Sequence, residues 1–264
     1  MTPFQAFPRI TRVAREYSGA GDPTRSIELL WGVNERSKRG PKPKLTLAQI
    51  TRAAIEIADA EGLEALSMRR VGDQLGVTAM SLYSYVPGKA ELLDLMLDAV
   101  YAEFSEAPNG TWRQRLEHVA RENWALYLRH PWLLQVAIAR PVLGPNAIAK
   151  YDHELRAVEG IGLSDIEMDL VITAVGNYVH GAVRPAIEAA QAVQHTGKTD
   201  LQWWEEHAPL LEKVFDTERY PTATRVGAAA GEAYNAPGDP LRSFEFGLRL
   251  LLDGIEGHIR SATA

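Results

Sequence analysis

From Thr46 onward, apolar and polar positions follow one another with helical spacing. Leu47, Ile50, Ala54, Ile57 and Ala58 fall on a single stripe, with Thr46 placed to cap its N-terminus and Gly62 to end it. Ser67 caps a second helix that runs through Leu75 to Gly76. Thr78 starts a third, which reaches about Tyr85 before Pro87 stops it. A fourth spans about Lys89 to Phe104, with Leu92, Leu93, Met96, Val100 and Phe104 facing inward. Beyond the breaker at 107–110, every long periodic stretch is again helical and none alternates as a strand does. Helices are expected at roughly 111–129, 131–139, 145–159, 164–193, 200–216 and 240–260, with a Gly-, Pro- and Ala-rich loop at 219–239. In the last helix Leu241, Phe244, Leu248, Leu251, Ile255 and His258 recur at steps of three and four, the seam of a helix packed on other helices. The expected fold class is all-α.

Residues 1–44 read as an extended basic N-terminal arm. They carry Pro/Gly breaks at 19–23 and 40–43 and no apolar run long enough for a core. Phe4, Phe7, Ile10, Val13 and Tyr17 keep helical spacing, as do Ile27, Leu30 and Trp31. Short helices docked on the rest of the chain, disorder, a partner motif and a start codon placed too early are all open readings.

Length then sets the domain count. A chain of 264 residues favours two compact units, divided here as 45–104 and 105–264. Cysteine is absent, which excludes disulfides, zinc–thiolate sites and thiol nucleophiles and fits a reducing cytoplasm. No stretch has the length or apolarity of a membrane span, and Pro8, Arg9, Arg12 and Arg15 break any signal-peptide core. A soluble cytoplasmic protein is expected. His118, His130, His153, His180 and His195 are scattered without paired ligand spacing, and no nucleophile elbow, phosphate-binding Gly loop or HExxH is present. Neither an enzyme nor a cofactor is expected; nothing in the sequence demands a metal site, and whether a metal assists ligand binding stays open.

The net charge of -6 argues against a polyanionic partner only until it is divided along the chain. Residues 1–104 hold 13 Lys+Arg against 13 Asp+Glu, and residues 105–264 hold 15 against 21, so the excess acid lies in the second part. Within the first, Arg36 to Lys44 reads RSKRGPKPK, with five basic residues and no acid. Arg39, Lys42 and Lys44 on such a Pro-rich backbone suit a narrow, electronegative minor groove. A solvated linker is the bland alternative.

Two short helices joined by a turn at Gly76 have helix-turn-helix spacing, in which the second helix enters the major groove. Leu82 and Thr78 point to one side of it, and Met80 and Ser84 to the other, flanked by Ser81 and Tyr83. Such a small, polar and aromatic face suits base edges, thymine methyls and phosphates. Arg69 and Arg70 sit in the first turn of the preceding helix, where a cation meets the positive end of the dipole and needs an anion to offset it.

The run LSMRRVGDQLGVTAMSLYSYVPGKAELLDLMLDAV resembles the DNA-binding domain of the TetR (tetracycline-repressor) family. The shared features are Gly-Val before the recognition helix, then Leu82 and Tyr83, the aromatic Tyr85, and Lys89 opening the fourth helix. The resemblance implies that Arg69, Ala79, Met80, Ser81, Tyr83 and Lys89 occupy DNA-contacting positions. Tyr85, counted with them, stands where His is more usual, and Ala79 where some members carry a longer polar side chain. Ala79 and Met80 therefore offer only apolar contact to bases.

The resemblance is strong over roughly 60 residues and weaker beyond them. It implies a three-helix helix-turn-helix domain followed by a larger helical ligand-binding and dimerisation domain. The helices from Ser164 and from Pro240 are the expected dimer elements, and Gly176 and Gly181 would permit close approach. Trp112, His118, Trp124, Tyr127, Trp132, Asn177, Tyr178, His180 and Arg184 are candidate ligand-lining residues by type and helical position, although core packing explains any one of them as well. Trp203 and Trp204 are either a pocket lid or a buried ring. The function implied is a homodimeric regulator, by family default a repressor, released from a palindromic operator by a small apolar or aromatic molecule. A helical scaffold with a non-functional helix-turn-helix is the competing reading.

Overall fold

The computed structural model describes residues 16–33, 45–137 and 140–262. Contacts divide it into two compact units. The first takes the described residues up to Glu106 together with Arg129–His153; the second takes Ala107–Leu128 and the described residues from Glu154. The segment 129–153 therefore packs with the helix-turn-helix.

In the first unit the order is β1 (Glu16–Tyr17), α1 (Pro23–Leu30), α2 (Leu47–Glu61), α3 (Met68–Leu75), α4 (Ala79–Leu82) and α5 (Lys89–Tyr101). After α6 (Trp112–Arg129) come a 3-10 turn at Pro131–Gln135, β2 (Val136–Ala137) and α7 (Pro145–Arg156). Local chemistry sets the boundaries. Thr46 and Gln49 form a capping box at α2, and Gly62 ends that helix at φ 85°. Ser67 accepts from Arg70 N to cap α3, which Gly76 terminates in the left-handed region at φ 67°. Ile50, Ala54, Ile57, Val71, Leu82, Val86, Leu92, Leu93, Met96 and Leu97 form the core. α3 and α4 meet at Gly72, where a Cβ would come within 2.8 Å of Val77 O, so only glycine lets the two helices approach.

Three sequence expectations change in this unit. Residues 16–33, read as part of an extended arm with short docked helices left open, carry a strand and a helix that contains Ile27 and Leu30 of the helically spaced set. The helix expected at 131–139 is a 3-10 turn followed by β2, which pairs in parallel with β1 in the register Glu16 with Val136 and Tyr17 with Ala137. Trp132, Leu133, Leu134 and Val136 are all buried, and an apolar run buried on every side has no period to read. The recognition helix is regular only over Ala79–Leu82, continuing as a turn in which Tyr85 N and Val86 N both donate to Leu82 O at 2.9 Å. The basic stretch with Arg39, Lys42 and Lys44 lies outside the described residues, as does the apolar set Phe4, Phe7, Ile10 and Val13.

The second unit contains most of α6, followed by α8 (Asp165–Thr196), α9 (Asp200–Glu212), α10 (Pro221–Tyr234) and α11 (Pro240–Ala262). Ser164 and Glu167 form a capping box at α8, and Thr199 and Gln202 another at α9. Ile172, Val175, Val179, Val183 and Ile187 are the buried line of α8, against which α11 packs. On α11 the buried residues are Phe244, Leu248, Leu252 and Ile255, whereas Leu241 is 56% exposed and His258 is exposed, so the seam differs from the expected one at Leu241, Leu251 and His258. The loop expected at 219–239 is largely α10. Its alanines have the highest helix propensity, Pro221 opens its first turn, and Asn235 closes it at φ 48°. α9 and α10 bury none of their residues in the single chain.

Candidate nucleic-acid interface

On α4, Leu82 is fully buried while Met80 is 78% and Tyr83 48% exposed, so one turn presents its polar and aromatic side outward and anchors through the other. Thr78 Oγ1 accepts from Ser81 N at 3.3 Å and lies 3.0 Å from Ser81 Oγ. Ser84 Oγ donates to Ser81 O at 2.7 Å. These local bonds fix the hydroxyl face in one geometry, as base reading requires. Beside it Leu45, Asp73, Gly76, Val77, Thr78, Ser81, Ser84 and Tyr85 line an open groove of about 760 Å³. Ala79 and Tyr85 are half-buried.

The two adjacent arginines have different surroundings. Arg70 forms a double hydrogen bond to Glu61, with Nη2–Oε1 at 2.5 Å and Nε–Oε2 at 3.4 Å. That bond holds the Glu61 carboxyl below its ordinary value and raises the guanidinium. Arg69 is exposed and makes no hydrogen bond or ion pair among the described residues. The anion needed at this helix start is thus supplied to Arg70 internally and not to Arg69. Lys89 Nζ lies 2.9 Å from Glu16 Oε1.

Sequence reasoning missed a stripe of buried carboxylates on α5. Glu91 accepts from Asp22 N at 3.0 Å, and Asp94 accepts from Gly19 N at 2.9 Å and Ser26 Oγ at 3.0 Å. Asp98 accepts from Asn146 N, Asn146 Nδ2 and Ala147 N at 3.1, 3.0 and 2.9 Å, capping α7 from another element, and burial pushes its carboxyl up. The spacing of 91, 94 and 98 on one helical face was the available signal, and it reads equally as a solvated edge. A second missed cluster places the buried His130 between Asp59, 2.8 Å from Nδ1, and Glu103, 3.2 Å from Nε2.

Of the ligand candidates, the second unit pairs Tyr127 with His180, and places Trp124 and Tyr178 both against Phe244. Tyr127 meets His180 edge-on at 5.6 Å between centroids, and Trp124 stacks on Phe244 at 4.3 Å. The Tyr127 hydroxyl is pushed up to about 12 by burial and the Glu154 charge. Asn123 Nδ2 donates to Glu154 Oε1 at 2.8 Å; Asn123, Glu154 and Phe244 were not among the candidates. Tyr178 is engaged in α8–α11 packing, its hydroxyl donating to Phe244 O at 2.7 Å and lying against Gly247. Arg184 faces Glu188 at 3.7 Å, Asn177 is exposed, and Trp112 and His118 are half-buried. Trp132 belongs to the first unit and is buried there, its Nε1 donating to Asp59 Oδ1 at 2.8 Å. Trp203 stacks with Trp204 at 6.5 Å and is 43% exposed. A Cβ at Gly176 or Gly181 would meet open space in the single chain. Among the described residues no set of three or more acidic, His or Cys side chains is placed to hold a metal ion, and no helix is long and apolar enough to cross a membrane.

Comparison with known proteins gives two family matches. Residues 50–96 match "Bacterial regulatory proteins, tetR family", and residues 104–259 match "Tetracyclin repressor-like, C-terminal domain". The HTH-type transcriptional repressor DrrR1 of Streptomyces coeruleorubidus is 49% identical over 91% of this chain and 88% of its own length. The tetracycline repressor protein class E of Escherichia coli is 24% identical over 82% of this chain and 93% of its own. Among solved structures, ActR of Streptomyces coelicolor in complex with actinorhodin superposes with a TM-score of 0.68 and 26% identity, covering 81% of this chain and 97% of that one.

Proposed function

The chain belongs to the tetracycline-repressor family of helix-turn-helix transcription regulators, and from that premise we propose that a cytoplasmic dimer grips a palindromic operator and lets go when an aromatic effector binds its helical domain. The observation that carries the DNA half is the α4 turn, where a fully buried Leu82 holds Met80, Ser81 and Tyr83 outward. Ser81 and Tyr83 supply hydrogen bonds to bases or phosphates. Met80 and Ala79 supply apolar contact, the usual partner of a thymine methyl. Arg69 and Lys89 bind backbone phosphates, with Tyr85 buttressing the groove wall and Arg39, Lys42 and Lys44 following the flanking minor groove.

Dimerisation is assigned to α8 and α11. Ile166, Leu170, Leu241, Phe246 and Leu250 are 56–71% exposed on these two helices of a single chain, an apolar surface that a second copy would cover. The effector is assigned to the neighbourhood of Trp124, Tyr127 and His180, where aromatic faces meet two side chains able to hydrogen-bond. The solved complex of ActR with actinorhodin supports an aromatic effector here. Release requires the effector to favour, by about 1 to 3 kcal/mol, a state whose recognition helices no longer fit the two half-sites.

The test is selection of bound duplexes from a random DNA library, run beside a Ser81→Ala, Tyr83→Ala double variant. A palindrome recovered by the parent alone is expected. Enrichment by neither protein, with both folded and dimeric, would replace this reading with a protein-binding scaffold.

A further inference from the structure

Lys89 opens α5, where the helix dipole disfavours a cation, and its nearest acidic neighbour on that helix, Glu91, is buried and turned to Asp22 N. The anion it meets is Glu16, from a segment 73 positions earlier in the chain. That segment is firmly seated. β1 pairs with β2, Ser18 N donates to Ala137 O and Ser18 Oγ to Arg140 O, and Trp31 Nε1 donates to Leu143 O at 2.9 Å. On the other side Asp94 takes Gly19 N and Ser26 Oγ, while a Cβ at Gly21 would have to displace the Glu91 carboxylate. Glu16 is therefore held in place by its backbone and not by the ion pair itself. The pair is open to solvent, with side-chain exposures of 45% for Glu16 and 31% for Lys89.

We infer that Glu16 is a residue of the DNA interface, an intramolecular stand-in for phosphate on Lys89 that DNA must displace. This rests on the phosphate role given to Lys89 above. A single-contact exposed ion pair, unlike the two-bond Arg70–Glu61 pair, contributes little net stability, so a phosphate can replace the carboxylate, but each exchange weakens binding relative to a free ammonium. With one pair per subunit, the carboxylates hold operator affinity below what the same cations would otherwise give.

The experiment is a double-mutant cycle on operator binding, using the full chain and the duplex recovered by selection, at several salt concentrations. Lys89→Met alone should weaken binding and lower the log-log salt slope by about 2 per dimer. Glu16→Gln alone should tighten binding by about threefold to tenfold, the scale of two exposed pairs. In the Lys89→Met background, Glu16→Gln should change nothing. Equal tightening in both backgrounds would make Glu16 a diffuse charge and overturn the inference, as would no tightening beside a normal Lys89→Met loss. No effect of Lys89→Met on affinity or slope would instead remove the phosphate role and the inference with it. Glu16→Gln leaves the Asp94 and Glu91 bonds intact, and an unchanged melting temperature verifies that the segment stays seated.

Discussion

Arg69 and Arg70 are the same residue type at adjacent positions, yet they have different surroundings, and the consequence proposed for DNA binding is open to direct measurement. Arg70 is already committed to Glu61 by two hydrogen bonds, whereas Arg69 has no anion among the described residues. If Arg69 binds one phosphate per subunit, each contact contributes about 0.9 to the slope of log affinity against log salt, so Arg69→Ala in a dimer should lower the slope by about 1.8. Between 50 and 200 mM salt, that slope difference is worth about tenfold in affinity, so the variant's deficit should be largest at low salt and shrink as salt rises. Arg70→Ala should leave both slope and affinity nearly unchanged. Fluorescence anisotropy of a labelled operator duplex, titrated at four or more salt concentrations, measures both quantities. An equal loss of slope from the two variants would refute the reasoning, since the Glu61 bond would then not withhold Arg70 from DNA.

Other consequences concern stability and the flanking DNA. Leu82→Ala should destabilise the helix-turn-helix by about 2–5 kcal/mol in urea unfolding, because Leu82 is fully buried behind the recognition face; a cost under about 1 kcal/mol would contradict that packing. Asp98 and Glu167 should give opposite pH trends. Burial raises Asp98 above the ordinary 3.8, so the folded state holds its proton longer; its contribution is full below that value and lost as pH rises through the folded one. Glu167, lowered to about 2 by Ser164 and His258, contributes above 4.5 and loses that contribution as pH falls toward 2. Melting temperature against pH should lose its Asp98 decline in Asp98→Asn and its acid-side Glu167 fall in Glu167→Gln. Replacing Arg39, Lys42 and Lys44 together by Ala should weaken binding most on A·T-rich flanks, as competition between flank sequences measures; an equal loss on all flanks would reduce the arm to a non-specific tether.

Much of the helical framework could be read in the chain because its boundaries are written in short-range chemistry. Thr46, Ser67 and Gly76 each act within four residues and perform their expected parts, and the helix expected from Ser164 begins there, capped by Ser164 with Glu167. What escaped the sequence depends on distant partners. β2 exists because residues 136–137 meet residues 16–17, and Trp132 is drawn to Asp59 within the first unit. Asp98 caps a helix 48 positions away, a bond that no local pattern announces. The misreading at 219–239 had a different cause. Gly and Pro were counted as breakers although Pro221 stands at the first turn, where it is tolerated, and the alanines between the glycines favour a helix. In the candidate site, the α4 face followed from spacing alone, while the different surroundings of Arg69 and Arg70 required seeing where Glu61 sits.

The turn bearing Ser81 and Tyr83 is proposed to read base sequence. Its most direct test is the ratio of affinities for the selected palindrome and a scrambled duplex, at about 0.15 M salt, for the parent and for Ser81→Ala, Tyr83→Ala. The account predicts a parental ratio of at least about 10³, which the double variant lowers by tenfold or more while binding the scrambled duplex about as before. An unchanged ratio in a folded, dimeric variant would contradict it.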